Sequence, residues 1–212
     1  MPNKTNQEIR TFRAPQPFEV RTLKDGSKQV TGYAIVFNSP SADLGGFTEV
    51  CDPGMLTRTL KANPDVLLLR DHDQTLLLGR TTAGTLALTV DGTGLRFTAK
   101  LPQTAIGDDT AENVRLRNLT ACSFGFIAVG DEWQQQGTQV VRRLMDIDLF
   151  EISITSFPAY SATSVNTRSC PAGLRSKLQP APDEADEADE ADQTRMDTLR
   201  IRRLFAHKMR SL

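Results

Sequence analysis

Histidine is scarce in this chain. His72 and His207 are the only two in 212 residues, so imidazole chemistry has few places to live. Cysteine is nearly as thin: Cys51, Cys122 and Cys170 are an odd number with no C-x-x-C spacing. That argues against a disulfide framework or a zinc site and leaves reduced thiols as the expectation. No metal or cofactor is expected. No run approaches the roughly 18 consecutive apolar residues of a membrane helix, so no membrane partner is expected. The opening MPNKTNQEIRTFRAPQPFEV lacks the apolar core of a signal peptide, and the expectation is a protein made and kept in a cytoplasm. An excess of one charge is missing too, with a formal net charge of −1. A basic cluster occurs only near the C-terminus beside a carboxylate run, which speaks against a nucleic-acid partner.

What is present divides into three. Residues 1–27 are polar and proline-bearing and read as an N-terminal arm or an edge strand. Residues 28–169 form a β-rich block. Residues 170–212 begin with a Pro-, Ala- and carboxylate-rich linker, whose DEADEADEAD repeat is too polar to bury a core. They end in TRMDTLRIRRLFAHKMRSL, which has the pattern of a short basic amphipathic helix. An acidic spacer before a basic helix reads as a docking tail or as a solvated end. Within the block, KQVTGYAIVFN and VVRRLMDIDLFEISITSF have strand composition, and TLALTVDGTGLRFTAKL is a hairpin signal. DPGMLTRTLKANP predicts a helix with Asp52 as cap and Pro53 in its first turn. GDDTAENVRLRNLT predicts another, with Asp109 and Glu112 at capping-box spacing. Many strands with a few short helices predict an α+β, β-rich fold built on a closed or nearly closed β-barrel.

The stretch TACSFGF places Cys122 beside Ser123. Strand alternation puts Cys122 with Phe124 and Phe126 on a core face, where a thiol is inert. Ser123 falls with Ala121 and Gly125 on a small-residue face that leaves room for a ligand. A serine hydroxyl is a poor nucleophile without a neighbouring base. His72, in the polar turn of LLLRDHDQTLLL, is the candidate for that base, and the alternative is a solvated turn histidine. A carboxylate would orient the imidazole. Glu151 shares a strand face with Ser153 and Thr155, whereas Asp146 and Asp148 fall on the other face unless a bulge intervenes. Asp71 and Asp73 are also adjacent. Spacing alone leaves Ser, His and Glu as one set among several.

Five segments then occur in order: VTGYAIVFN, DLGGFTEVCDPGML, RDHDQTLLLGRTTAGTLAL, LTACSFGFI and FEISITSFPAYSATSV. Together, over about residues 30–168, they resemble the prohead (procapsid maturation) protease family of tailed bacteriophages, which is related to the capsid-maturation serine proteases of herpesviruses. The resemblance implies a barrel of the herpesvirus-assemblin type. It implies a serine endopeptidase acting inside the procapsid in the host cytoplasm on major capsid protein or scaffold, and on itself. His72 becomes the general base, Ser123 the nucleophile and Glu151 the orienting acid. Cys122 stands where the family usually has Met or Ala. The portal or capsid interior and a homo-oligomer are further partners compatible with it. The competing reading is a non-enzymatic, scaffold-like assembly protein on the same fold.

Overall fold

The structure is a computed structural model that describes residues 7–156 and 170–175. The expected acidic linker and amphipathic tail lie almost wholly outside the described residues, as does the FPAY segment. In chain order the elements are β1 (Gln7–Arg13), β2 (Glu19–Thr22), β3 (Lys28–Val36), β4 (Phe47–Cys51), α1 (Thr57–Lys61), β5 (Leu67–Arg70), β6 (Asp73–Arg80), β7 (Leu86–Val90), β8 (Gly94–Lys100), α2 (Ala105–Arg115), β9 (Ala121–Gln136), β10 (Gln139–Thr155) and α3 (Ala172–Arg175). The chain is β-rich with a few short helices, as its alternating segments predict.

Strand pairing makes two sheets. One runs β1-β9-β10-β5-β6, with β4 also joined to β10; the other runs β2-β3-β8-β7. The long antiparallel hairpin β9–β10 is the spine of the first sheet. The early part of β10, Val140–Leu144, pairs in parallel with β4, and its last part, Glu151–Ile154, pairs in parallel with β5. The two sheets face one another across the core, with Val30, Ile35, Leu95 and Phe97 opposing Phe124, Phe126, Ile152 and Ile154. β3 approaches β9, and β6 approaches β8, but these contacts are not ladders: among the described residues neither sheet's hydrogen bonding returns to its first strand. Side-chain packing holds the sheets together where a closed barrel would use backbone pairing.

The two helices expected from the sequence, α1 and α2, start elsewhere than their cap signals indicate. Asp52 accepts a bond from the Gly54 N–H at 2.8 Å, forming a turn that precedes α1, whose first-turn flank is Leu56. Helix α2 begins at Ala105 after an extended Thr104, so Asp109 is inside the helix and not at its cap. A short polar side chain serves a turn as readily as a helix end.

The polar N-terminal stretch is tied into the fold. β1 lies antiparallel along Ala121–Ile127 as the edge strand of its sheet. Its Glu8 and Arg10 are buried with Glu49 of β4 and Arg142 of β10. Arg142 reaches Glu8 at 2.7 Å, Glu49 at 3.0 Å and Asp131 at 2.7 Å. Arg10 reaches Glu8 at 2.5 Å and Glu49 at 2.9 Å. Burial pushes the Glu49 carboxyl up against the opposing pull of Arg10 and Arg142. Arg142 is 1% exposed, and removing one partner of a buried ion network leaves uncompensated charge. Arg142→Ala is therefore expected to lower unfolding free energy by about 3–5 kcal/mol. Urea denaturation against the parent protein checks this; a loss below about 1 kcal/mol, the range of exposed pairs, would place the network in solvent.

Candidate active site

The β5–β6 hairpin ends on the ladder pair Arg70/Asp73, so Asp71 and His72 are its whole two-residue turn. Their φ angles are 52° and 61°, the left-handed values that a two-residue hairpin turn requires. Neither is glycine. Holding two such residues there costs of order 1 kcal/mol or more each, and the turn lifts the imidazole over the face of the sheet.

Below it, residues opposite each other on neighbouring strands share a face. Thr11 is opposite Ser123, Ser123 is opposite Ser153, and Ser153 is opposite Leu69. One step along, Gly125 is opposite Glu151. Ser123, Ser153, Gly125 and Glu151 thus occupy the face turned away from the core. Cys122, Phe124, Ile152 and Ile154 occupy the core face. Strand alternation separates the two TACSFGF candidates accordingly. Burial pushes the Cys122 thiol up to about 12, so it is protonated and inert at neutral pH.

His72 and Glu151 come together: Nδ1 lies 2.5 Å from Oε1. As a carboxylate, Glu151 has only acceptors to offer, so Nδ1 carries the proton and Nε2 is left as the ring's acceptor. Among the described residues Nε2 has no hydrogen bond. The Ser153 hydroxyl is 3.4 Å from Nδ1. Ser123 is on the neighbouring strand, but it shares no hydrogen bond with His72. Its hydroxyl donates to the Arg10 carbonyl at 2.9 Å and accepts from the Thr11 hydroxyl at 3.0 Å. The small-residue face predicts access to Ser123; instead the residue is 0% exposed, because both faces of β9 are covered and β1 runs alongside it.

The other carboxylates are engaged elsewhere. β10 carries an extra residue at Phe150, between the pairs Leu149/Phe126 and Glu151/Gly125. The bulge does intervene, so the core positions are Ile147 and Leu149 before it and Ile152 and Ile154 after it. Asp148 thereby shares the outward face, but Arg58 of α1 binds both it and Asp146, at 2.6 and 2.7 Å. Asp73 accepts from the backbone and hydroxyl of Thr75. Arg80 pairs with Asp65, a structural ion pair.

Sequence reasoning passes over Gly125 as a functional position. A Cβ there would sit 2.6 Å from Glu151 Cγ and 2.9 Å from its Oε1. The absence of a side chain is what lets Glu151 lie across β9 toward His72. The signal is present in the sequence, since Gly125 is on the same face as Ser123, but its consequence depends on which residue the ladder sets opposite it.

The profile of the caudovirus prohead serine protease family matches residues 16–175. Among solved structures, the bacteriophage T4 capsid assembly protease is similar, with a TM-score of 0.51 at 11% identity over 74% of this chain and 100% of that one. That likeness is one of fold. No curated protein matches the sequence.

Proposed function

The chain belongs to the caudovirus prohead serine proteases, and we propose that within this family it is a serine endopeptidase whose catalytic set is Ser123, His72 and Glu151. The observation that carries the assignment is the 2.5 Å contact of His72 Nδ1 with Glu151, on the sheet face that also bears Ser123. Glu151 fixes the tautomer in which Nε2 can accept a proton. Ser123 exchanges its bond to the Arg10 carbonyl for one to Nε2 and attacks the scissile carbonyl carbon. The hydroxyl proton passes to His72, and Glu151 stabilises the imidazolium. The proton then goes to the departing amine as the C–N bond breaks, leaving an acyl-Ser123 ester. Water, deprotonated by His72, hydrolyses that ester.

The substrates are capsid protein or scaffold, and the protease itself, inside the procapsid. The catalytic unit is assigned to residues 28–169, with β1 and β2 completing its sheets and residues 170–212 serving as a docking tail. Support for the location and substrates comes from family membership. Among the described residues no helix is long and apolar enough to cross a membrane.

The test is co-expression of this protein with the major capsid protein of the same phage, read by mass spectrometry of both chains. Parent protein is expected to shorten the capsid protein and itself at defined peptide bonds, and to take a serine-directed phosphonate on the peptide containing Ser123. Cleavage that persists in Ser123→Ala overturns the assignment.

Gly125→Ala tests the geometry independently. The added methyl meets Glu151 Cγ and the Phe150 ring, each at 2.6 Å, and displaces Glu151; misplacement of a catalytic group by about 1 Å costs about 100-fold. The expected result is a kcat/KM drop of that order with the far-ultraviolet circular dichroism unchanged. An unchanged kcat/KM would mean that Glu151 need not approach His72.

A further inference from the structure

We propose that Ser153 is a positioning residue for His72, its hydroxyl accepting a second, longer arm of the hydrogen bond that Nδ1–H gives to Glu151. The proposal rests on the assignment of His72 and Glu151 above and extends it to a residue that takes no part in bond making. Ser153 lies on β10, with Ser123 as its ladder neighbour on β9 and Leu69, of the strand that leads to the His72 turn, as its neighbour on β5. It is therefore the residue between the attacking hydroxyl and the strand that delivers the imidazole.

Its environment explains why a hydroxyl is there. Ser153 is 0% exposed, in a run where Ile152 and Ile154 fill the core and a β-branched residue would suit the strand. A buried hydroxyl needs a partner, and among the described residues the His72 ring nitrogen at 3.4 Å is the one it has. Glu151 holds the ring at one point. A contact from Ser153 to the same nitrogen restrains rotation of the ring about that bond. The short distance to Glu151 and the longer one to Ser153 describe one N–H shared unequally between two acceptors, which leaves Nε2 untouched for the proton of Ser123.

The arrangement also raises a competing role, since Ser153 is nearer to a histidine hydrogen bond than Ser123 is. The nitrogen it meets is the proton-bearing one already committed to Glu151, which cannot deprotonate a nucleophile. Positioning is the role that fits.

Ser153→Ala and Ser153→Thr, assayed beside Ser123→Ala on a peptide spanning a mapped cleavage site, decide the matter. Ser153→Ala is expected to lower kcat about 5- to 10-fold, the worth of one weak hydrogen bond, with KM within twofold. The downfield Nδ1 proton resonance of His72 should move or broaden. Ser153→Thr, which keeps the hydroxyl, should recover most of the loss. The phosphonate adduct of the parent protein should map to Ser123. An alanine variant with unchanged kcat and an unmoved resonance overturns the proposal, as does a threonine variant no better than alanine. An adduct on Ser153 makes it the nucleophile and overturns the proposal as well. If Ser123→Ala keeps parental activity, it is the catalytic assignment itself that fails, an outcome these variants separate from the others.

Discussion

Ser123→Ala is expected to slow peptide-bond cleavage by about 10⁴- to 10⁶-fold, the range seen when a serine hydrolase loses its nucleophile. The substitution removes one oxygen and with it the bonds to the Arg10 carbonyl and the Thr11 hydroxyl. The fold has other anchors for β1, including its ladder along β9 and the buried Arg10 pairs, so the folded state is retained. Cys122→Ala, one residue away, is expected to keep most of the activity. Its sulfur is on the core face, and its cost falls on packing. Single-turnover assays of both variants on one peptide, with thermal unfolding alongside, check the pair. A dead Cys122 variant beside a live Ser123 variant would reverse the assignment of the two faces.

Glu151→Gln should cost about 10³- to 10⁴-fold in kcat while leaving KM nearly unchanged. The amide is close in size to the carboxylate and fits the space above Gly125. It offers Nδ1 an N–H as readily as a carbonyl, however, so the ring can settle with its proton on Nε2, the wrong nitrogen for a base. It also supplies no charge to balance the imidazolium. Steady-state kinetics with the melting temperature as control test this. A loss under tenfold would show that the 2.5 Å contact with His72 is structural.

Much of the outward-facing site was legible because strand alternation is a local rule. TACSFGF and FEISIT sort themselves into core and outward residues by parity, and the ladder then sets Ser123 opposite Ser153. Long-range pairing was not legible. The polar N-terminal stretch reads as an arm or an edge strand, and β1 is an edge strand, but nothing local shows that Glu8 and Arg10 are met by Glu49 and Arg142 from distant strands. The bonds that hold the Ser123 hydroxyl to the Arg10 carbonyl and the Thr11 hydroxyl of β1 are long-range too, and no local pattern announces them. Parity also needs the extra residue at Phe150, which changes the numerical register between Leu149 and Glu151 and brings Asp148 onto the outward face. The expectation of a barrel came from strand count, which does not say whether the last neighbours meet through backbone or side chains. The helix starts differ from their cap signals because Asp52 accepts from the N–H of a turn and because Asp109, three residues before Glu112, imitates a capping box inside α2.

The two-residue turn bearing His72 has a kinetic meaning. In the proposed mechanism a base carried on the shortest connection between two paired strands has little conformational freedom to lose when substrate arrives, so its half of the site is assembled before the encounter. The nucleophile's half is not: Ser123 is tied to a carbonyl of the neighbouring edge strand and must let go. Under that mechanism any delay between synthesis of this protein and its first cleavage has its natural point of action at the boundary of β1 and β9, while the imidazole stands already set on the β5–β6 turn.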